Sequence, residues 1–128
     1  LAAEEVPVGR YALAFLDKAA ADSAFDSGYK AAVLANVVSY EANVRGVLNK
    51  VALGEADAGI VYASDLVGAE GVGSLAIPDA LNVVAEYPIA LLNDSAQPDA
   101  AAAFVEWVLG EAGQGVLAEY GFGAVDEE

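Results

Sequence analysis

Gly54-Glu55-Ala56-Asp57-Ala58-Gly59-Ile60-Val61-Tyr62-Ala63-Ser64-Asp65 runs from the end of a helix into a strand, and its reading decides the fold class. Residues 58–62 are a compact apolar run between Asp57 and Ser64-Asp65, the pattern of a short buried strand. Just upstream, Val44, Val47, Leu48 and Val51 form one apolar stripe behind Asn43, whose side-chain oxygen suits an N-cap. Gly54 should end that helix, because glycine is favoured just past a helix terminus. Outward toward the start, Tyr11, Phe15, Leu16 and Ala19 predict a helix over about 10–21, behind a short extended turn at Val6-Pro7-Val8-Gly9. A weaker helix is expected over 23–34, broken or started near Gly28, and Val37-Val38 reads as a short buried strand. In the other direction, 74–77 reads as a strand ended by Pro78. Residues 82–92 are extended but interrupted by Pro88, which suits a chain crossing between lobes better than a central strand. Pro98 opens a helix with Ala100, Phe104, Trp107 and Val108 on one face, and a last helix covers 111–120 and ends at Gly121. Helices and strands alternate throughout, so the predicted class is α/β.

The 128 residues suffice for one domain with a real core. A hydrophobic content of 57% and a mean hydropathy of +0.45 exclude a disordered acidic tail. No apolar run approaches the roughly 18 residues of a membrane-spanning helix. The formal net charge is -15, from 5 Lys+Arg against 20 Asp+Glu. Nucleic acid is therefore excluded as a partner, since it is held by clustered basic residues. Arg10, Lys18, Lys30, Arg45 and Lys50 all lie in the first 50 positions, so the excess of acids falls on the rest of the chain. Either one surface is kept near neutral, or the protein comes from a generally acidic proteome. With no Cys and no His, thiol chemistry, imidazole bases and Cys/His zinc sites are excluded. The sequence begins at Leu1 without a visible leader or lipobox cysteine, and a processed or trimmed start is expected.

Catalytic motifs are lacking. Ser64-Asp65 has no histidine to complete a triad, and no spacing selects two carboxylates as an acid–base pair. Gly68-Ala69-Glu70-Gly71-Val72-Gly73 lacks the Lys-Ser/Thr of a phosphate loop. The expectation is a binding protein, not an enzyme, with no cofactor and no directly ligated metal. Anion capture has better support. Val8-Gly9 and Asn43-Val44 each sit at the start of a predicted helix, where unpaired N–H groups and a partial positive charge favour oxyanions.

Val6-Pro7-Val8-Gly9-Arg10-Tyr11-Ala12 resembles the VPxGxYA segment of the ModA family of bacterial molybdate-binding proteins. Asn43-Val44-Arg45-Gly46-Val47-Leu48 and the 54–65 stretch follow in the family's order and spacing. Glu86-Tyr87-Pro88-Ile89-Ala90 resembles its return strand, and Gln114 through Tyr120-Gly121-Phe122 its C-terminal helix and ending. The resemblance implies a type II periplasmic-binding-protein fold, with oxyanion donors at the Val8 N–H, the Val44 N–H and the Tyr62 hydroxyl. Neutral donors in a rigid cage would favour molybdate and tungstate over the smaller sulfate. Arg10 and Arg45 flank the donors and offer electrostatic support, with solvated or salt-bridged roles the simpler reading. The side chain of Val44 also belongs to the core, and Tyr62 has the alternative of bonding to protein.

The resemblance covers only the family's second half. It implies that residues 1–85 form most of the second, ligand-closing lobe, and 86–128 the return crossing and C-terminal helices that belong to the first. The first lobe would then be a separate fragment or chain, and Phe104, Trp107 and Val108 would be partly exposed unless something covers them. The implied partners are a small oxyanion, molybdate or tungstate, and an ABC transporter permease. The implied location is periplasmic or extracellular, with a lipoprotein anchor on the full-length protein as one arrangement. The alternatives are the anion-sensing effector domain of a regulator and a sulfate- or phosphate-type solute-binding protein.

Overall fold

A computed structural model describes residues 1–125. The chain divides into two compact units, Leu1–Ala85 and Glu86–Glu128.

In the first unit, helix α1 spans Pro7–Ala21. It begins earlier than the apolar spacing predicts, because Pro7 occupies the first turn, where its missing N–H costs nothing and its fixed φ suits the helix. Val8 and Gly9 are therefore helical, not part of a preceding extended turn. Val8, Gly9, Ala12, Leu16 and Ala19 form the buried face. Helix α2, Tyr29–Ala35, starts after Gly28 and packs on α1. Lys30 Nζ pairs with Asp17 Oδ1 across the two helices at 2.6 Å.

Helix α3 spans Val44–Ala52 and is capped by Asn43, whose side chain accepts the Gly46 N–H at 2.9 Å. Its end is equally well defined. Gly54 adopts φ 71°, a left-handed conformation that costs glycine nothing. Its N–H donates to Val51 O at 3.0 Å, and the Glu55 N–H to Lys50 O at 2.8 Å, closing a Schellman motif. The Lys50 ammonium also pairs with Glu55 Oε2 at 2.6 Å. That hydrogen bond, then the carboxylate's charge, raises the Lys50 pKa above its ordinary value.

The predicted strands at 37–38, 58–62 and 74–77 are not formed among the described residues. The one ladder contact among the described residues is an isolated parallel bridge between Ala2 and Glu41. There the Ala3 N–H donates to Glu41 O at 2.8 Å and the Glu41 N–H to Leu1 O at 2.9 Å. No backbone hydrogen bond ties residues 58–61 or 74–77 to a neighbouring segment among the described residues. An apolar run becomes a strand only when a neighbour exchanges N–H and C=O groups with it. The unit is instead organised around helices, with Ala2, Val8, Ala12, Leu16, Ala19, Val47, Leu48 and Leu81 as its buried apolar residues.

The second unit is a helical hairpin, α4 (Pro98–Leu109) and α5 (Glu111–Glu119), joined through Gly110 alone. Gln114 Nε2 donates to Val108 O at 2.8 Å and ties the two helices. α5 ends as α3 does, with Gly121 at φ 80° and the Phe122 N–H on Leu117 O at 3.1 Å. The rings of Tyr87 and Phe122 meet edge to face at 5.7 Å. Phe104 and Trp107 stack on each other but remain 59% and 51% exposed, and Val108 is partly buried. No helix among the described residues is long and apolar enough to cross a membrane.

Candidate functional site

The starts of α1 and α3 converge on one small cluster. Ala2, Val8 and Val47 are buried together, with Val6, Val44, Val61 and Tyr62 packed against them. All three residues singled out as oxyanion donors thus share one neighbourhood, although they lie 36 and 18 positions apart in sequence.

Val8 is the second residue of α1. The Gly9 and Arg10 N–H groups both turn back to Val6 O, at 3.1 and 3.3 Å, whereas the Val8 N–H has no acceptor among the described residues. Val8 is only 5% exposed. A buried donor left unpaired costs about 1–3 kcal/mol, so an incoming acceptor oxygen would be well rewarded there. Pro7 removes the one other donor that the first turn would have offered.

Gly9 makes this geometry possible. A Cβ at this position would lie 2.0 Å from Ala3 O and 2.9 Å from Ala2 O, so α1 approaches the bridged N-terminal segment as closely as backbone permits. Val44 opens α3, and Asn43 satisfies only the Gly46 N–H, so the Val44 and Arg45 N–H groups remain without protein acceptors among the described residues. The Val44 side chain packs into the cluster, while its N–H lies in the first turn of α3.

Tyr62 is held differently. It precedes a 3-10 turn, Ala63–Leu66, that packs on α3. Its N–H donates to Asp65 Oδ2 at 3.1 Å, and the Asp65 N–H donates back to Tyr62 O at 3.1 Å. Its ring meets Tyr11 of α1 edge to face, with centroids 6.3 Å apart and planes at 69°. Sequence reasoning missed both Asp65 and Tyr11. The first was detectable, since a carboxylate three residues after a chain turn is the spacing that returns a bond to the preceding N–H.

The two arginines are placed unequally. Arg10 Nη1 donates to Glu5 O at 2.9 Å and Glu4 O at 3.4 Å, bracing the turn ahead of α1. Arg45 is exposed and has no hydrogen bond or ion pair among the described residues. The 590 Å³ cleft of the first unit shares Val47 with the cluster but includes none of Val8, Val44 and Tyr62, and is lined by apolar residues such as Phe15, Val33 and Ile60 together with Glu41, Glu55, Asp57 and Lys50. Apolar walls with three carboxylates against one lysine suit a dianion poorly, so the helix starts are the better candidate. No group of three metal-ligating side chains occurs among the described residues.

A profile of the bacterial extracellular solute-binding proteins matches residues 2–123. The chain belongs to that family. The molybdate-binding proteins ModA of Mycobacterium bovis and of two strains of Mycobacterium tuberculosis are 46% identical to it over 88 residues. The matched region is 68% of this chain and 34% of each relative, so the solute-binding protein described here spans about a third of their length. No solved structure matches it. Family membership fits a type II periplasmic-binding-protein fold for this solute-binding protein.

Proposed function

We propose that this solute-binding protein captures molybdate, and tungstate equally, for delivery to an ABC transporter permease outside the cytoplasm. The observation that carries the reading is the convergence of two helix-start donors without acceptors among the described residues, Val8 N–H and Val44 N–H, on the cluster that holds Tyr62. Helix starts bind oxyanions with neutral donors and partial charge, which matters in a protein of net charge -15 that has few cations to spare. The 46% identity to ModA proteins supplies the choice of oxyanion. Binding needs no acid, base or nucleophile, in keeping with relatives that bind rather than catalyse.

In this reading residues 1–85 are most of an α/β lobe, and 86–128 are the return crossing and C-terminal helices of a two-lobe receptor. A first lobe, in the same polypeptide or as a separate fragment, supplies the remaining donors. The unpaired segments at 58–61 and 74–77 are the positions at which a sheet would be completed.

The test is Val44→Pro in the full-length receptor. Proline is well tolerated at the first helical position, and Asn43 at φ -160°, ψ 164° already has the extended backbone that a following proline requires. The substitution deletes one N–H and exchanges the Val44 side chain, packed on the Ala2–Val8–Val47 cluster, for an apolar ring of similar size. Calorimetric titration should show molybdate affinity falling at least about tenfold, the worth of one charge-assisted hydrogen bond, with the thermal midpoint nearly unchanged. Undiminished affinity would remove Val44 from the site. Competition with sulfate and tungstate in the same cell addresses selectivity, and tungstate should displace molybdate where sulfate does not.

A further inference from the structure

We infer that Tyr11 and Asp65 are positioning residues that hold the Tyr62 hydroxyl at the oxyanion site, a reading that rests on the function proposed above. Tyr62 sits at the boundary between an irregular segment and a 3-10 turn, so its backbone is not fixed by a ladder or a long helix. Besides its packing on the apolar cluster, two of its contacts supply that support. From below, Asp65 accepts the Tyr62 N–H at 3.1 Å and returns its own N–H to Tyr62 O at 3.1 Å, which fixes the φ/ψ from which the side chain departs. From the side, the Tyr11 ring lies edge to face at 6.3 Å and limits where the Tyr62 ring can swing. Tyr11 stands on α1 three residues after Val8, so the same helix that presents the Val8 N–H also braces the tyrosine.

A long side chain with two torsions delivers its hydroxyl accurately only when both ends of the lever are held. Asp65 holds one end and Tyr11 the other, and neither is required to touch the ligand. Asp65 is also a carboxylate close to where a dianion would bind. Its acceptance of a backbone N–H gives that charge a structural use, and an uncharged acceptor should serve as well.

The experiment is a double-mutant cycle by molybdate titration of the full-length protein, with ligand-free thermal midpoints measured in parallel. Asp65→Ala and Tyr11→Leu should each weaken binding about tenfold, the order expected for one misplaced hydrogen bond. Asp65→Asn and Tyr11→Phe should restore affinity to within about twofold, since an amide oxygen can accept the N–H and phenylalanine keeps the ring edge. In a Tyr62→Phe background, Asp65→Ala should have almost no further effect on binding, because the hydroxyl it positions is gone. An equal loss in both backgrounds would show a merely structural role and overturn the inference, as would unchanged affinity in Asp65→Ala. If Asp65→Ala does not fold, Tyr11→Leu with and without Tyr62→Phe completes the same cycle. An unsubstituted protein that ignores molybdate overturns the proposed function and this inference together. Molybdate binding that responds to Val44→Pro but not to Asp65 or Tyr11 overturns the inference alone.

Discussion

Replacing Gly9 by alanine puts a methyl carbon 2.0 Å from Ala3 O, 2.6 Å from Ala3 C and 2.9 Å from Ala2 O. All three atoms are backbone, so no side chain can rotate aside, and the separation must open to about 3.5 Å before the contact stops being repulsive. The required displacement exceeds about 1 Å and falls on the segment that the Ala2–Glu41 bridge holds in place. Overpacking of this kind costs roughly 1–3 kcal/mol, offset in part by the ~1 kcal/mol by which alanine outperforms glycine in a helix. Because every clashing atom is backbone, the cost lies near the top of that range, and the net loss of about 2 kcal/mol lowers the midpoint by about 4–8 °C per kcal/mol in a domain of this size. The same shift carries the Val8 N–H with it, so molybdate affinity should fall as well. Circular dichroism at the helix band, followed by titration below the new midpoint, reads both. A Gly9→Ala protein with an unchanged or raised midpoint would refute the close-approach reasoning and, with it, the placement of the α1 start.

Gly54→Ala should cost about 1 kcal/mol in urea unfolding, because φ 71° strains an L residue while nothing lies within 4 Å of the new methyl, and molybdate affinity should hold. Asn43→Ala removes the acceptor of the Gly46 N–H and should cost about 1 kcal/mol, with a weaker α3 start visible as faster amide exchange at Gly46. The Lys50–Glu55 pair raises the folded-state pKa of Lys50, so its contribution is complete below the ordinary lysine pKa and is lost as pH rises through the raised one. Lys50→Gln should therefore erase an alkaline component of the stability profile and leave the neutral range flat. Trp107, the single tryptophan and 51% exposed, should be quenched readily by acrylamide in the isolated chain, and a partner that covers α4 would protect it.

Helix positions were legible because each carries its own punctuation. Asn43 and Gly54 bracket α3, Pro98 opens α4, and Gly121 closes α5, all through contacts between residues a few positions apart. The start of α1 was misplaced because apolar spacing points to Tyr11 onward, while Pro7 alone marks the first turn. Strands fared worse for a different reason. Composition marked residues 58–62 as apolar and β-prone, but strand identity lies in a partner that is not written locally. Family resemblance named Val8, Val44 and Tyr62 as candidate donors, and the structure gathers them at one apolar cluster, but the contacts around Tyr62 were not legible. Asp65 and Tyr11 act through spacing and ring geometry that appear only once α1 and the 3-10 turn are brought together.

The Ala2–Glu41 bridge has a kinetic consequence. The α4–α5 hairpin is built from contacts between residues close in sequence, and such elements close within microseconds. The bridge must instead gather about forty residues, including all of α1 and α2, before its first hydrogen bond forms. Refolding from denaturant should accordingly separate into an early rise in helicity and a later phase in which the Tyr11–Tyr62 contact appears, with the α1 start the last part of the first unit to acquire its final geometry.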